Sequence, residues 1–275
     1  MPFHPKRADA GDSGLAELHT SAKSSRGDRR CFSRMKITAL GDSALIVRVR
    51  DQFEDAPEET LNEVFRAFQL LRDAGIPGLI DLAPAYTSIA IFFDPIVIAK
   101  VSGKPGELFD WLAELVREIV TTGAHRGRRV RSTRTVARHV EIPVCYDPEF
   151  ALDIDRVAEQ AQISASEAVD VHSGSEYRVA CTGFVPGFPF LAGLAKKLAT
   201  PRRDTPRKEI PAGSVGIGGA QTGIYPLRSP GGWNLIGRTP LKLFDPTKDP
   251  PILLCPGDHV RFRAITREQF KSLKD

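Results

Sequence analysis

Residues 211–226 read PAGSVGIGGAQTGIYP, with five glycines in sixteen positions and one polar pair, Gln221–Thr222. A glycine inside a regular element costs about 0.5–1 kcal/mol relative to alanine. So dense a run is tolerable where the backbone must take a positive φ, or where something approaches it closely. Phosphate-binding loops and tight barrel turns both answer that description, and they lead to different proteins.

Three familiar site patterns fail on this stretch. A Walker loop needs a Gly-Lys pair after its glycines, and none follows here. The dinucleotide fingerprint G-x-G-x-x-G meets Gln221 where its third glycine should stand after Gly216 and Gly218. A nucleophile elbow, G-x-S-x-G, is broken by Ala212 ahead of Ser214. There is no H-E-x-x-H and there are only six histidines, so no dedicated metal site is expected. What remains is backbone open to close approach, flanked by Arg202, Arg203, Arg207 and Arg238.

The surroundings favour β-structure. From Ser173 onward the helical period disappears, and EYRVACTGF (176–184) and HVRFRAI (259–265) alternate in the period of strands. Turns are expected at PGF, PAGS, SPGG and CPGD, and such dense punctuation predicts a closed or nearly closed β-structure. Just upstream, HVEIPVCYD (139–147) reads as a strand, residues 153–162 as a short helix, and Ser164 with Glu167 as the capping box of the next helix. Two short helices in tandem raise a DNA-binding reading. Asp153, Asp155, Glu159, Glu167 and Asp170 against a single Arg156 would repel phosphates, which excludes it.

Between Met35 and residue 125 the pattern is mixed. KITAL (36–40) and ALIVRVR (44–50) are strand candidates around a Gly41-Asp42-Ser43 turn. Leu61, Val64, Phe65, Phe68 and Leu71 then fall at helical spacing, with Pro57 near the start and Gly75 suited to the end. GLIDLA (78–83) and YTSIAIFFD (86–94) are two more strands, and Leu108, Leu112, Leu115, Val116 and Ile119 line one face of a second helix. Two strands, helix, two strands, helix makes a small α+β sandwich.

The expected organisation is therefore a disordered extension over 1–34, an α+β domain over 35–125, a basic connector over 126–138 and a β-barrel domain over 139–275. Residues 120–140 hold six arginines and no acid, which reads as a solvated connector or as an anion-binding stripe. The formal charge is +4, of which 1–34 carries +3, so the body is too balanced for a nucleic-acid binder. No apolar run reaches the length of about 18 residues that a spanning helix needs. Cys31, Cys145, Cys181 and Cys255 are scattered with no C-x-x-C pair, which fits free thiols in a reducing cytoplasm.

Three long segments, FVPGFPFLAGL (184–194), TPRRDTPRKEIPAGSVGIGGAQTGIYP (200–226) and SPGGWNLIGRTPL (229–241), resemble the carboxyltransferase subdomain C/D family, with a weaker match at LGDSALIV (40–47). That family includes the B subunit of the ATP-dependent 5-oxoprolinase, the KipI sporulation-kinase inhibitor and subunit 1 of allophanate hydrolase-type proteins. The resemblance covers about residues 35–270. It implies an α+β N-terminal domain followed by a cyclophilin-like β-barrel, two partner polypeptides (the C and A subunits of a 5-oxoprolinase), and ATP-driven opening of the 5-oxoproline lactam to glutamate. ATP would be shared with the partner subunits.

Lactam opening asks for groups that stabilise phosphate charge and handle an amide. Arginine forks and a glycine-rich backbone suit the first need. Arg202, Arg207 and Arg238 are the candidates, with Gly216, Gly218 and Gly219 as close-approach backbone and Ser214 and Thr222 beside them. Gln221 offers donor and acceptor to an amide-like substrate, Tyr225 a donor, and His172 a proton carrier near neutral pH. Phe184, Phe188 and Trp233 are read as groove wall. Each has a plainer reading: His172 bonding backbone at a helix end, glycines serving barrel turns, Arg202 and Arg207 meeting a partner subunit. Two other functions stay open, a KipI-like histidine kinase inhibitor and the carboxyltransferase half of a urea/allophanate-type biotin-dependent enzyme.

Overall fold

Alternation puts Leu45, Val47, Ile89, Ile91 and Phe93 on one side of their strands, and all five are buried. The computed structural model, which describes residues 35–123 and 137–274, joins these strands in a four-stranded antiparallel sheet. β1 (Lys36–Leu40), β2 (Ala44–Arg48), β3 (Leu79–Ala85) and β4 (Ser88–Phe93) lie in the order β1-β2-β4-β3. α1 (Pro57–Asp73) and α3 (Leu108–Thr122) supply Val64, Ala67, Leu71, Leu112, Val116 and Ile119 to the core on that face. Pro57 opens α1, and Gly123 closes α3 with a φ of 69° and its N–H on the Ile119 carbonyl. The extension over 1–34 and most of the basic connector fall outside the described residues.

One helix lies outside the pattern expected from periodicity. α2 (Pro95–Ser102) forms from PIVIAKVS because Asp94 accepts from the N–H groups of Ile96 and Val97, Pro95 takes the first helical position, and Gly103 ends it in the left-handed conformation.

The second half closes on itself. β5 (His139–Cys145), β6 (Glu176–Thr182), β7 (Pro189–Ala192), β9 (Ser214–Gly218), β10 (Gln221–Ile224), β12 (Asn234–Arg238) and β13 (His259–Ile265) form a closed barrel in the order β10-β7-β6-β13-β5-β12-β9. β5 and β13 run parallel in register from His139 opposite His259, and the other pairings are antiparallel. Ile142, Val144, Val179, Leu191, Val215 and Ile217 fill the interior together with α4 (Ile154–Ala161) and α5 (Ala165–Gly174). The expected capping box is present in both directions between Ser164 and Glu167. SPGG is more than a turn: β11 (Ser229–Gly231) pairs with β8 (Arg207–Ile210) as a separate two-stranded sheet. α6 (Arg267–Lys274) follows β13.

The sheet layer and the barrel share an apolar cluster of Leu61, Phe65, Ala180 and Ala192, and hydrogen bonds tie them together. Arg178 of β6 donates to Glu58 and Asn62 of α1 at 2.8 and 2.6 Å. Gln221 of β10 donates to the Tyr86 hydroxyl, in the β3–β4 hairpin, at 2.6 Å. Among the described residues no helix is long and apolar enough to cross a membrane.

Candidate functional site

The glycines of 211–226 are approached closely, but by the protein itself. A Cβ on Gly218 would lie 2.5 Å from the Trp233 indole nitrogen, and one on Gly216 would lie 3.2 Å from both the Trp233 Cβ and the Asn234 carbonyl. Gly219 makes the β9–β10 turn with a φ of 65°. Its N–H donates to the Thr200 carbonyl at 2.8 Å and its own carbonyl accepts from Thr200 at 3.2 Å. The expectation of a bare main-chain wall for a ligand is therefore corrected: Trp233 covers Gly216 and Gly218, and the Gly219 amide already has its acceptor. Ser214 is buried at the start of β9, where its carbonyl accepts from Tyr225.

His172 is also redirected. It is fully buried, with Nδ1 2.8 Å from the Tyr146 hydroxyl and Nε2 3.0 Å from Thr222 Oγ1, and its ring stacks on Phe262. Thr222 gives its one hydroxyl proton to the Gly216 carbonyl, so it must accept from His172 Nε2–H. Nδ1 then accepts from Tyr146. Burial pulls the His172 pKa down to about 3. It stays neutral near pH 7 and serves the barrel interior.

The folded pKa lies below the ordinary value of 6.5, so the unfolded chain takes up the proton first. The stabilisation is whole above that ordinary value and is lost as pH falls toward the folded one, by about 1.4 kcal/mol per unit. Roughly 2 kcal/mol should be gone at about pH 5, which urea unfolding at about pH 7 and about pH 5 will measure. His172→Gln should flatten that dependence; an equal slope in both proteins would assign it elsewhere.

The arginines divide. Arg207 forms a bidentate pair with Asp153 at 2.8 and 2.9 Å, and Arg203 donates to the same carboxylate at 2.8 Å. Burial opposes the Asp153 charge, but these guanidiniums and the Leu235 N–H outweigh it and hold its carboxyl below the usual range. Arg238 donates from Nε to the Ala212 carbonyl at 2.9 Å and lies over Phe150. Arg207 and Arg238 thus hold the barrel's own loops and strands together. Arg202 differs: it is exposed, with its guanidinium carbon 5.9 Å from the centroid of the Trp233 ring.

Phe188, Tyr225 and Trp233 are buried in one aromatic cluster with Ile210 and Leu235, their rings meeting edge to face. Phe184 stands on it, 62% exposed, and its φ of 70° is a costly conformation for a non-glycine residue. Beside this cluster Gln221 reaches Tyr86, whose hydroxyl also meets the Cys181 thiol. Burial and Cys181 raise the Tyr86 pKa, and burial pushes the Cys181 thiol up to about 11, so both stay protonated at neutral pH. The charge of Arg202 acts on Tyr86 and Tyr225 alike. The face that can meet a ligand is therefore Phe184, Arg202, Gln221 and Tyr86: one accessible cation, an amide, a phenol and an aromatic wall.

Sequence reasoning misses Tyr86, Cys181 and Asp153. Tyr86 and Cys181 lie in strand patterns that look purely structural, and Asp153 reads as one acid of a charged helix. Among the described residues no group of three or more His, Cys, Asp or Glu side chains is placed to hold a metal ion.

Known proteins share this sequence and this architecture. The family model described as carboxyltransferase domain, subdomain C and D, matches residues 35–254. The chain is 40% identical over 242 residues to the 5-oxoprolinase B subunit of Bacillus subtilis (strain 168), spanning 88% of this chain and 98% of that one. It is 56% identical over 126 residues to the protein of the same name from Escherichia coli O157:H7, spanning 46% of this chain and 58% of that one. The crystal structure of TTHA0988 in space group P6522 superposes with a TM-score of 0.64 at 34% identity, over 81% of this chain and 40% of that chain. The chain belongs to the carboxyltransferase subdomain C and D family.

Proposed function

We infer that this chain is the B subunit of an ATP-dependent 5-oxoprolinase and contributes half of a composite site that opens 5-oxoproline to L-glutamate. The observation that carries the reading is its 40% identity to the Bacillus subtilis B subunit across 98% of that protein's length. The barrel is read as cyclophilin-like, with the division at 35–125, 126–138 and 139–275. The partners are the C and A subunits, and the compartment is the cytoplasm. TTHA0988 supports a composite arrangement, because its chain is more than twice as long as the part matched here.

The exposed face fits one side of such a site. ATP supplies the phosphoryl group that turns an amide oxygen into a leaving group. On this chain Arg202 would meet phosphate or carboxylate charge, Gln221 would match the lactam amide, and Phe184 would exclude water or seat a partner side chain. With the Gly219 amide occupied and Arg207 ion-paired, the described residues of this face form no full phosphate cradle, and on this reading the remaining donors come from the partners.

Arg202→Ala in the assembled complex tests the assignment. Losing one charge-assisted contact costs about 2 kcal/mol, so 5-oxoproline-dependent ATP turnover (kcat/KM) should fall roughly thirtyfold. The melting temperature of the chain should stay where it is, since Arg202 is exposed and only rests against the Trp233 ring. Unchanged turnover would remove Arg202 from the site.

A further inference from the structure

We propose that the cleft between the sheet layer and the barrel is a second binding site, which takes a small oxyanion on the unpaired edge of Arg178. The cleft has a volume of about 620 Å³, within the range of small-molecule sites. α1 and β3 form one side of it, and β6 with the Cys255–Asp258 turn forms the other. The inference stands on this chain alone, independent of the 5-oxoprolinase reading.

Arg178 lines the cleft and is only 8% exposed. One nitrogen of its guanidinium is occupied: Nη1 donates to Glu58 and Asn62. One face is covered by the Phe65 ring, 4.8 Å away. Nε is buried with no partner, and no hydrogen bond is made by Nη2 among the described residues. The Nε–H and the neighbouring Nη2–H point the same way, the edge with which a guanidinium grips two oxygens of a carboxylate or phosphate; Nε is enclosed, so a ligand completes the pair only as the wall around it opens. Native interiors leave few buried donors unpaired, and a ligand that completes the pair accounts for this one.

The other charges around the cleft leave room for an anion. Asp258 is saturated by the Arg138 guanidinium and the Cys255 N–H, and Asp81 accepts from the Leu82 N–H. Glu58, which balances Arg178, is largely in solvent. Arg66 and Arg72 lie on the α1 side, Arg72 beside Asp73, and Phe68, Leu82 and Pro84 give an apolar wall. The ligand class is a small organic molecule bearing one planar carboxylate or one phosphate.

Titration calorimetry on the full chain at low ionic strength tests this with four probes: 5-oxoproline, L-glutamate, ATP and inorganic phosphate. Binding by the first two identifies a carboxylate, and binding by the last two a phosphate; either supports the site. Arg178→Lys keeps the charge toward Glu58 but lacks the two-donor edge, and should weaken binding at least about tenfold. Ala83→Trp fills the cleft from its exposed rim without touching an ion pair, and should abolish binding with an unchanged far-UV spectrum. If Arg178→Lys does not fold, Ala83→Trp decides. No heat with any probe, or binding that survives Ala83→Trp, would overturn the proposal.

Discussion

Asp153→Ala should destabilise the chain by about 3 kcal/mol, a large loss for one polar side chain. Asp153 sits at the N-terminal end of α4 with its side chain 4% exposed. It receives Arg203, Arg207 and the Leu235 N–H, while its own N–H donates to the Leu235 carbonyl at 2.8 Å. β5 pairs with β12 only at Cys145–Arg238, so Asp153 takes the place of a strand neighbour where that ladder has ended. Removing the carboxylate leaves two guanidiniums and a buried N–H without their acceptor. Arg203 and Arg207 are 32% and 22% exposed and can partly rehydrate, which keeps the loss at the lower end for a broken buried pair.

For a chain of this size that loss lowers the melting temperature by roughly 10 °C at neutral pH. Asp153→Asn keeps an acceptor and should lose about half as much. The stabilisation is present above the ordinary carboxylate range and disappears as pH falls through the depressed folded pKa, so the wild-type and Asp153→Ala curves should converge in strong acid. A calorimetric melting temperature for Asp153→Ala within a degree or two of wild type would show that the cluster contributes nothing to stability.

Local signals in this sequence are readable where one turn of chain decides the outcome. Ser164–Glu167 makes the box its spacing announces, and Pro57 opens its helix. Asp94-Pro95 and Gly103 are equally readable as the ends of a helix, yet the β-branched residues between them favour strand and hide α2. The alternation of 176–184 and 259–265 marks two barrel strands, but periodicity says nothing of the parallel β5–β13 pairing, which joins residues about 120 apart.

The site is legible only in part, because its meaning lies in contacts across long sequence distances. Five glycines announce that something comes close; they do not say whether it is a ligand or Trp233. An arginine in a proline-rich loop announces a positive charge, but Arg207 and Arg202 look alike until Asp153 is seen to take one of them. Tyr86 carries no signal at all, since its partner Gln221 is 135 residues away. Phe184 reads as wall, and its exposure on a strained backbone makes it the most prominent apolar contact on that face.

A second large effect follows from how this chain's donors are already paired. The β9–β10 turn has its amide on Thr200, Gly216 and Gly218 lie under the indole, and Arg203 and Arg207 share the one Asp153 carboxylate. Among the described residues of this face, Arg202 alone cannot replace the cluster of donors that a transferring phosphoryl group requires, a deficit worth several orders of magnitude in rate. The most direct measurement is ATP turnover by the purified chain, by the proposed A and C partner subunits together, and by all three, each with and without 5-oxoproline. A shared site should give turnover only in the full mixture and only with 5-oxoproline. Turnover by the chain alone, or by the partners without it, would contradict the claim that the site is divided between polypeptides.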